Sequence, residues 1–399
     1  MEQVLSAEGP FAKLIKGFQA RPQQQAMLQT ILTTMQQQST AIIEAGTGVG
    51  KTFAYLVPAL LNPERVIVST GSKTLQDQLY HKDLPLVRKA LHSSSKIALL
   101  KGRANYLCLY RMELTLTEGR LPDRNSVVWL RRIRDWAALT RTGDIAELSS
   151  VPHDADIWQR VTSTVDNCLG MQCKHYQDCH VVKARRNAQE ADLLVVNHHL
   201  FFADLALKEE GFGELLPSAN MVILDEAHQL PEIASGFFSD TFSSRQLLDW
   251  KRDTLLEAVE NAADMPQIRD ALDQFEKAIL DLRLAMDVPG QRAPWSTINQ
   301  KPAIASQLEV LQERFALLTG LLEHAAERSK GLQTAYQRLL EQQARLQRLY
   351  TPQADSVQWF ETFTRGFTIT TTPLDVAVPF RKSLAELPCS WVMTSATLA

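Results

Sequence analysis

Ile42-Ile43-Glu44-Ala45-Gly46-Thr47-Gly48-Val49-Gly50-Lys51-Thr52 is the stretch on which the reading of this chain turns. The apolar run Thr40 to Ile43 predicts a buried strand, and the glycine-rich turn after it opens a helix near Lys51. In that layout consecutive backbone N–H groups form a nest for phosphate oxygens, and the positive N-terminal end of the helix adds to it. Lys51 would reach the β- and γ-phosphates, and the Thr52 hydroxyl would ligate Mg²⁺. The strict pattern asks for glycine where Ala45 stands, a departure that leaves the loop intact. A plain tight turn between strand and helix explains the glycines but not Gly-Lys-Thr at this spacing.

Working outward, Phe53 to Leu61 continues the helix and Asn62-Pro63 stops it. Arg65 to Thr70 reads as a second buried strand, then Gly71-Ser72-Lys73-Thr74 leads into a polar helix, and Lys96 to Leu100 reads as a third strand. Strand, helix and strand in such close succession make a parallel βαβ unit. Upstream, residues 11–38 predict one or two helices. Sheet character returns at Asp192 to Asn197 and at Met221 to Glu226, short apolar runs ending in polar residues. Such runs suit central parallel strands with a site at their carboxyl ends. The second run closes in Asp225-Glu226-Ala227-His228. A carboxylate at a strand end beside a phosphate loop is where a Mg²⁺-holding Asp belongs, and Glu226 can then polarise the attacking water.

Between these strands, residues 101–186 are polar, irregular and strand-poor, and they hold four of the five cysteines: Cys108, Cys168, Cys173 and Cys179. Four thiolates can hold a tetrahedral zinc or a 4Fe–4S cluster, and the gaps among the last three are wider than the spacing usual for zinc. His175 and His180 could compete as ligands or stand solvated, while Cys389, ahead of a buried strand, reads as a core thiol. Basic residues are local: Arg103 and Arg111 near the first cysteine, Lys183, Arg185 and Arg186 after the last. Arg131, Arg132 and Arg134 lie close to Trp129 and Trp136, a pattern open to base stacking with phosphate pairing or to a solvated helix face.

From Ser243 to Tyr350 the chain predicts helix almost throughout. Leu308, Phe315, Leu322, Tyr336 and Tyr350 share one heptad position; Leu311, Leu318, Leu332, Leu339 and Leu346 share the other, with a bend expected at Ser329-Lys330-Gly331. A helical hairpin or coiled-coil-like arm follows. Strands return at Ser356 to Phe360 and Phe367 to Thr371, and Trp391 to Ser395 runs into Ala396-Thr397-Leu398-Ala399.

The 399 residues exceed one ordinary domain, and 45% hydrophobic against 22% charged residues make a globular protein with ample core. No apolar run is long enough to span a membrane, and Met1-Glu2-Gln3 opens no signal peptide, so a cytoplasmic location is expected. Five cysteines are then better read as metal ligands or core residues than as disulfides. A formal net charge of −3 excludes a globally basic nucleic-acid binder and leaves only a local track.

The phosphate loop, Asp225-Glu226-Ala227-His228 and Thr394-Ser395-Ala396-Thr397 together resemble helicase motifs I, II and III of superfamily 2. Lys101-Gly102-Arg103-Ala104-Asn105-Tyr106-Leu107-Cys108 and Asn197-His198-His199-Leu200 resemble the XPD/DinG iron–sulfur helicases. The resemblance implies that Arg21 and Gln24 correspond to an adenine-contacting Q motif, with Gln24 one of three consecutive glutamines. It implies further that Ser69, Thr70 and Thr74 fall in motif Ia, whose helix N-terminus is suited to a DNA phosphate. Ser395 and Thr397 would couple nucleotide state to the DNA path. The same resemblance implies one 4Fe–4S cluster on Cys108, Cys168, Cys173 and Cys179.

The expected fold is α/β: a RecA-like parallel-sheet P-loop motor domain with an inserted iron–sulfur cluster domain and an inserted all-α arch domain. The expected division is motor 1–100, cluster domain 101–190, motor 191–240, arch 241–354 and motor 355–399, with a second motor domain absent. The implied activity is ATP-dependent 5′–3′ translocation on single-stranded or forked DNA, with replication or repair proteins as possible partners and no membrane. Lys51, Asp225 and Glu226 would be the catalytic residues, and Arg21, Gln24, Ala45 to Thr52 and Asp225 to His228 would bind ATP–Mg²⁺. The chain would be a portion of a longer protein, binding ATP and DNA weakly without efficient hydrolysis. A small-molecule P-loop kinase would leave Ser395-Ala396-Thr397 and the cysteines without a role. A non-catalytic ATP-dependent DNA clamp or metal-dependent interaction module is the alternative from another class.

Overall fold

The computed structural model describes residues 2–62, 64–118, 121, 123–164, 167–209, 215–287, 289–351 and 355–397; Pro63, on which a helix stop was read, and Leu398 and Ala399, which follow motif III, lie outside them. Ten strands are found among the described residues: β1 (Thr40–Glu44), β2 (Val66–Thr70), β3 (Ile97–Leu99), β4 (Leu193–Asn197), β5 (Met221–Asp225), β6 (Asp240–Ser243), β7 (Arg292–Pro294), β8 (Ser356–Thr362), β9 (Phe367–Pro373) and β10 (Ser390–Ser395). The chain divides into two compact units, one of residues 1–102, 181–237 and 376–399, the other of 103–180 and 238–375. No helix among the described residues is long and apolar enough to cross a membrane.

The first unit is built on a sheet of order β1-β10-β5-β2-β4-β3 in which every neighbouring pair is parallel. Strands β2, β4 and β5 are buried at every residue, as helices on both faces of a parallel sheet require. β1 departs from the expected buried strand. It lies at the sheet edge, so Ile42 is 67% exposed while Ala41 turns inward. Helices Pro10–Leu14, Pro22–Gln37 and Lys51–Leu61 pack their apolar residues with β2, β4 and β5 into one core. The register aligns Glu44 with Ser395, Thr394 with Asp225, and Thr70 with Asn197, so the polar strand ends gather along one edge.

In the second unit residues 103–180 are more regular than their composition predicts. They carry helices Leu109–Glu118, Arg124–Ala137 and Ile157–Val161 and a core of their own around Ile133, Ile157, Trp158 and Val161. Residues 238–375 are not wholly helical. Helices Ser244–Asn261, Pro266–Ala285, Pro302–Ala325 and Lys330–Arg348 are accompanied by an antiparallel sheet of order β6-β9-β8-β7. The strands expected at 356–360 and 367–371 belong to this sheet and not to the parallel one, which places the unit's edge at 375 instead of 354. The reason is the short connection between them. Phe363 N bonds Gly366 O at 2.7 Å, a tight turn that permits only antiparallel pairing, since a parallel crossover needs a dozen or more residues. The heptad leucines and Phe315 are buried as expected, whereas Tyr350 is 51% exposed. The bend also falls where expected, with Ser329 Oγ capping the last helix through Leu332 N at 3.1 Å.

Candidate functional site

The loop between β1 and helix Lys51–Leu61 turns on Gly48 (φ 78°) and Gly50 (φ 90°), left-handed positions that favour glycine. Gly46, Thr47 and Gly48 are exposed and no atom stands within 4 Å of where a Cβ would sit on Gly46 or Gly48, leaving open space around the loop backbone. Lys51 Nζ donates to Ala45 O at 2.9 Å and so folds back over the loop. Of the three consecutive glutamines, Gln24 is the buried one. Its Nε2 donates to Gly50 O at 2.9 Å, and a Cβ on Gly50 would meet that nitrogen at 2.3 Å. Arg21 precedes the helix and is exposed.

Asp225 ends β5 and is buried. Burial, with Glu226 adding to it, pushes its carboxyl up to about 6 against the pull of Tyr55 and Lys51. An ionised carboxylate in such a place is costly without a counter-cation, which is the condition a Mg²⁺ ligand meets. Thr52, half-buried in the first helical turn, and Asp225 could hold that cation. The tyrosine is an addition that the motifs do not announce: Tyr55 Oη donates to Asp225 Oδ2 at 2.9 Å, and burial together with the Asp225 charge raises the phenol well above its usual range. Glu226 adopts φ 57°, left-handed for a non-glycine residue, with its N–H 3.1 Å from Asp225 Oδ1. His228 Nδ1 lies 2.8 Å from Ser395 Oγ and 3.4 Å from Glu226 Oε2, so the Asp225–His228 turn and the end of β10 are hydrogen-bonded. Ser395 Oγ donates in turn to Thr397 O at 2.8 Å. Ala227 is buried beneath this turn.

Of the motif Ia residues, Ser69 and Thr70 are fully or nearly fully buried, and Ser69 Oγ is 2.7 Å from His198 Nδ1. Only Thr74, on helix Lys73–Gln78, is exposed. His198 is itself wholly buried, and burial lowers its pKa to about 4.

In the other unit the four cysteines are part-buried. Burial pushes the Cys108 thiol up to about 11, and the nearby Cys168 and Cys173 add to the rise. Cys173 is raised by burial and by Cys168 and Cys179. The thiols therefore lie within electrostatic reach of one another. Among the described residues, however, no three His, Cys, Asp or Glu side chains are closed into a metal-ligating group. His175 pairs with Glu113 at 3.0 Å, and His180 is buried against Gly143, so neither histidine stands free in solvent. Arg111 is no surface cation. It is 5% exposed and donates to Asp253 Oδ1 at 2.9 Å. Asp253 also accepts from Asn167 at 3.2 Å and pairs with Arg338 at 3.5 Å, and although burial opposes it these cations hold its carboxyl below the usual range. Arg131, Arg132 and Arg134 are exposed, but Trp129 and Trp136 pack against the core of residues 103–180, which favours a solvated helix face over a stacking platform.

A parallel sheet with a phosphate loop and an Asp-Glu-Ala-His strand end along one edge defines a P-loop α/β domain of RecA-like fold carrying inserts. Residues 21–104 match the DEAD/DEAH box helicase family. Along its length the chain is similar to helicases named YoaA and DinG. It is 42% identical over 397 residues to the ATP-dependent DNA helicase YoaA of Haemophilus influenzae, covering 99% of this chain and 62% of that protein. It is 43% identical over 403 residues to the protein of that name from Escherichia coli, covering 100% and 63%. The ATP-dependent DNA helicase DinG of Photobacterium profundum is 32% identical over 257 residues, 60% of this chain and 36% of that protein. A solved structure titled XPD helicase superposes with a TM-score of 0.51 at 14% identity, covering 95% of this chain and 59% of that one, a likeness of fold. The chain thus spans under two-thirds of the length of the YoaA proteins it matches.

Proposed function

We propose that this chain is the N-terminal motor portion of an ATP-dependent DNA helicase that moves 5′ to 3′ on single-stranded or forked DNA in repair or replication. The observation that carries the reading is the alignment of the phosphate loop and Asp225-Glu226 at the carboxyl ends of strands of one parallel sheet. In this reading the backbone of Ala45 to Gly50 cradles the phosphates and Arg21 and Gln24 flank the base. Lys51 turns from Ala45 O to the β/γ-phosphates. Thr52 and Asp225 hold Mg²⁺, whose charge offsets that on the phosphates. Glu226 orients the attacking water, and Ala227 and His228 carry the turn to Ser395 and Thr397. DNA and a second motor domain are the expected partners, and the cytoplasm the expected location.

Cys108, Cys168, Cys173 and Cys179 supply the donor set of one 4Fe–4S cluster, which in this reading stiffens the segment 103–180. Iron and sulfide analysis of anaerobically purified protein should give about four of each per chain; stoichiometric zinc with no broad visible absorption would replace the cluster with a zinc site. Cys179→Ser should cost both the metal and the protease resistance of residues 103–180.

The decisive experiment is unwinding by the full-length protein of duplexes bearing a 5′ or a 3′ single-stranded tail. Opening of the 5′-tailed substrate alone, dependent on ATP and Mg²⁺, is expected. Opening of the 3′-tailed substrate would reverse the polarity, and binding of DNA without any opening would leave the non-catalytic clamp.

A further inference from the structure

His198 follows the last residue of β4 and is fully buried between the ends of two other strands. Its Nε2 lies 2.8 Å from the backbone oxygen of Asp225, and its Nδ1 lies 2.7 Å from Ser69 Oγ. A carbonyl oxygen only accepts, so Nε2 carries the hydrogen; the Nδ1 of a neutral ring is then an acceptor, and the Ser69 hydroxyl donates to it. The Asp225 carbonyl and the Glu226 N–H belong to one peptide unit. His198 holds the oxygen end of that unit and the Asp225 carboxylate holds the nitrogen end at 3.1 Å. The plane of this peptide sets the φ of Glu226, which stands at 57°, a region that a residue with a side chain keeps only when its surroundings impose it. A second brace acts on the same turn. Gln229 N donates to Glu226 O at 3.0 Å, and the Gln229 side chain presses on Gly71, where a Cβ would stand 2.2 Å from Oε1.

We infer that His198 is a positioning residue for ATP hydrolysis: oriented by Ser69, it fixes the Asp225–Glu226 peptide so that the Glu226 carboxylate points at the attacking water. The inference rests on the hydrolytic role given to Glu226 above. No motif assigned to nucleotide binding contains His198, and its ring touches no open surface.

The test is single-turnover hydrolysis of ATP by an excess of the full-length protein, read beside the Kd of a fluorescent ATP analogue, for the wild type and three variants. His198→Phe fills the space without a donor and should slow hydrolysis on the order of 10²-fold, the scale of a misplacement of about 1 Å, with the Kd unchanged. His198→Gln can place an amide N–H where Nε2 stands and should recover most of the rate. Ser69→Ala, which frees the ring to turn, should fall between them. Wild-type hydrolysis by His198→Phe, or a loss of rate and nucleotide affinity together in His198→Phe and His198→Gln alike, would overturn the inference. Wild-type protein that binds the analogue but hydrolyses no ATP would overturn it by removing the role of Glu226. Wild-type protein that binds no nucleotide would overturn the nucleotide-site reading itself.

Discussion

The two units set their chemistry in place by opposite means. In the parallel sheet the polar ends of β1, β2, β4, β5 and β10 are aligned by backbone register, and the apolar residues beneath them carry the fold. In the unit of residues 103–180 and 238–375, which has apolar cores of its own, buried polar side chains fix the segments next to the cysteines. Asp253 gathers Arg111 and Asn167, which flank Cys108 and Cys168 in sequence, and Arg338 from the last long helix. A site built on register tolerates exchange of its functional residues without loss of the fold. A site whose neighbours are buried charges does not, because each partner left alone in low dielectric is a large penalty.

The largest effect that would sharpen this contrast lies in the sheet. In the proposed function Lys51, Thr52, Asp225 and Glu226 would form half of a phosphoryl-transfer site, to be completed by an arginine from a second motor domain. Such an arginine is worth on the order of 10³–10⁵ in rate. ATPase measured with single-stranded DNA should therefore be slower by about that factor in residues 1–399 than in a chain continuing through a second motor domain. Comparable turnover by the two would show the sheet's own site to be complete.

The next effect lies in the other unit. Asp253→Ala removes the carboxylate to which Arg111, 5% exposed, donates and should destabilise the unit by about 3–5 kcal/mol, the usual result of removing one partner of a buried pair. Hydrogen exchange should show the loss in helices Leu109–Glu118, Ser244–Asn261 and Lys330–Arg348, while the amides of β2, β4 and β5 keep their protection. Equal loss in the sheet would break the contrast drawn above, since the two units would then unfold as one.

The same division governs what could be read in one dimension. The phosphate loop, β2, β4, β5 and the heptad leucines are local signals: a glycine spacing, an unbroken apolar run, a period. They needed no partner to be recognised. Arg111 looked like a surface cation because its partner Asp253 is 142 residues away, and Tyr55 gave no sign of its bond to Asp225, 170 residues on. A tyrosine one helical turn past Thr52 was nevertheless a usable hint, since it shares that residue's face of the helix. β8 and β9 were legible as strands, but alternation of apolar and Thr residues does not say which sheet a strand joins. The brief Phe363–Gly366 connection did say so, by ruling out a parallel crossover. Ile42 was misjudged for a related reason: an edge position is a property of strand order, which no single strand encodes.

The smallest effect is a difference of sign. Asp225 and Asp253 are both about 9% exposed, yet the first sits without a full counter-charge and the second is paired with cations. In the absence of Mg²⁺ the folded Asp225 titrates near 6 and its unfolded counterpart near 3.8. Between those values the folded state binds more protons, so the Asp225 contribution to stability falls as pH rises from about 4 to 6 and stays lost above. Two pKa units correspond to roughly 2–3 kcal/mol. Asp225→Asn keeps an acceptor for Tyr55 and has no charge to bury. Denaturant unfolding in Mg²⁺-free buffer should show the variant gaining on the wild type from near zero at low pH to that amount above pH 6, even as Mg²⁺–nucleotide binding is lost. His198 works in the other direction, since its pKa falls from 6.5 to about 4 on folding and its contribution rises with pH over that span. It is common to both proteins and leaves the difference between them unchanged. Asp253→Asn should show the reverse sign, because the folded Asp253 carboxyl is held below its usual value and its contribution is present at neutral pH and lost in acid. A wild-type advantage at pH 7.5 over the Asp225 variant would mean that the sheet's site is held together by its own charge, as the cluster around Asp253 is.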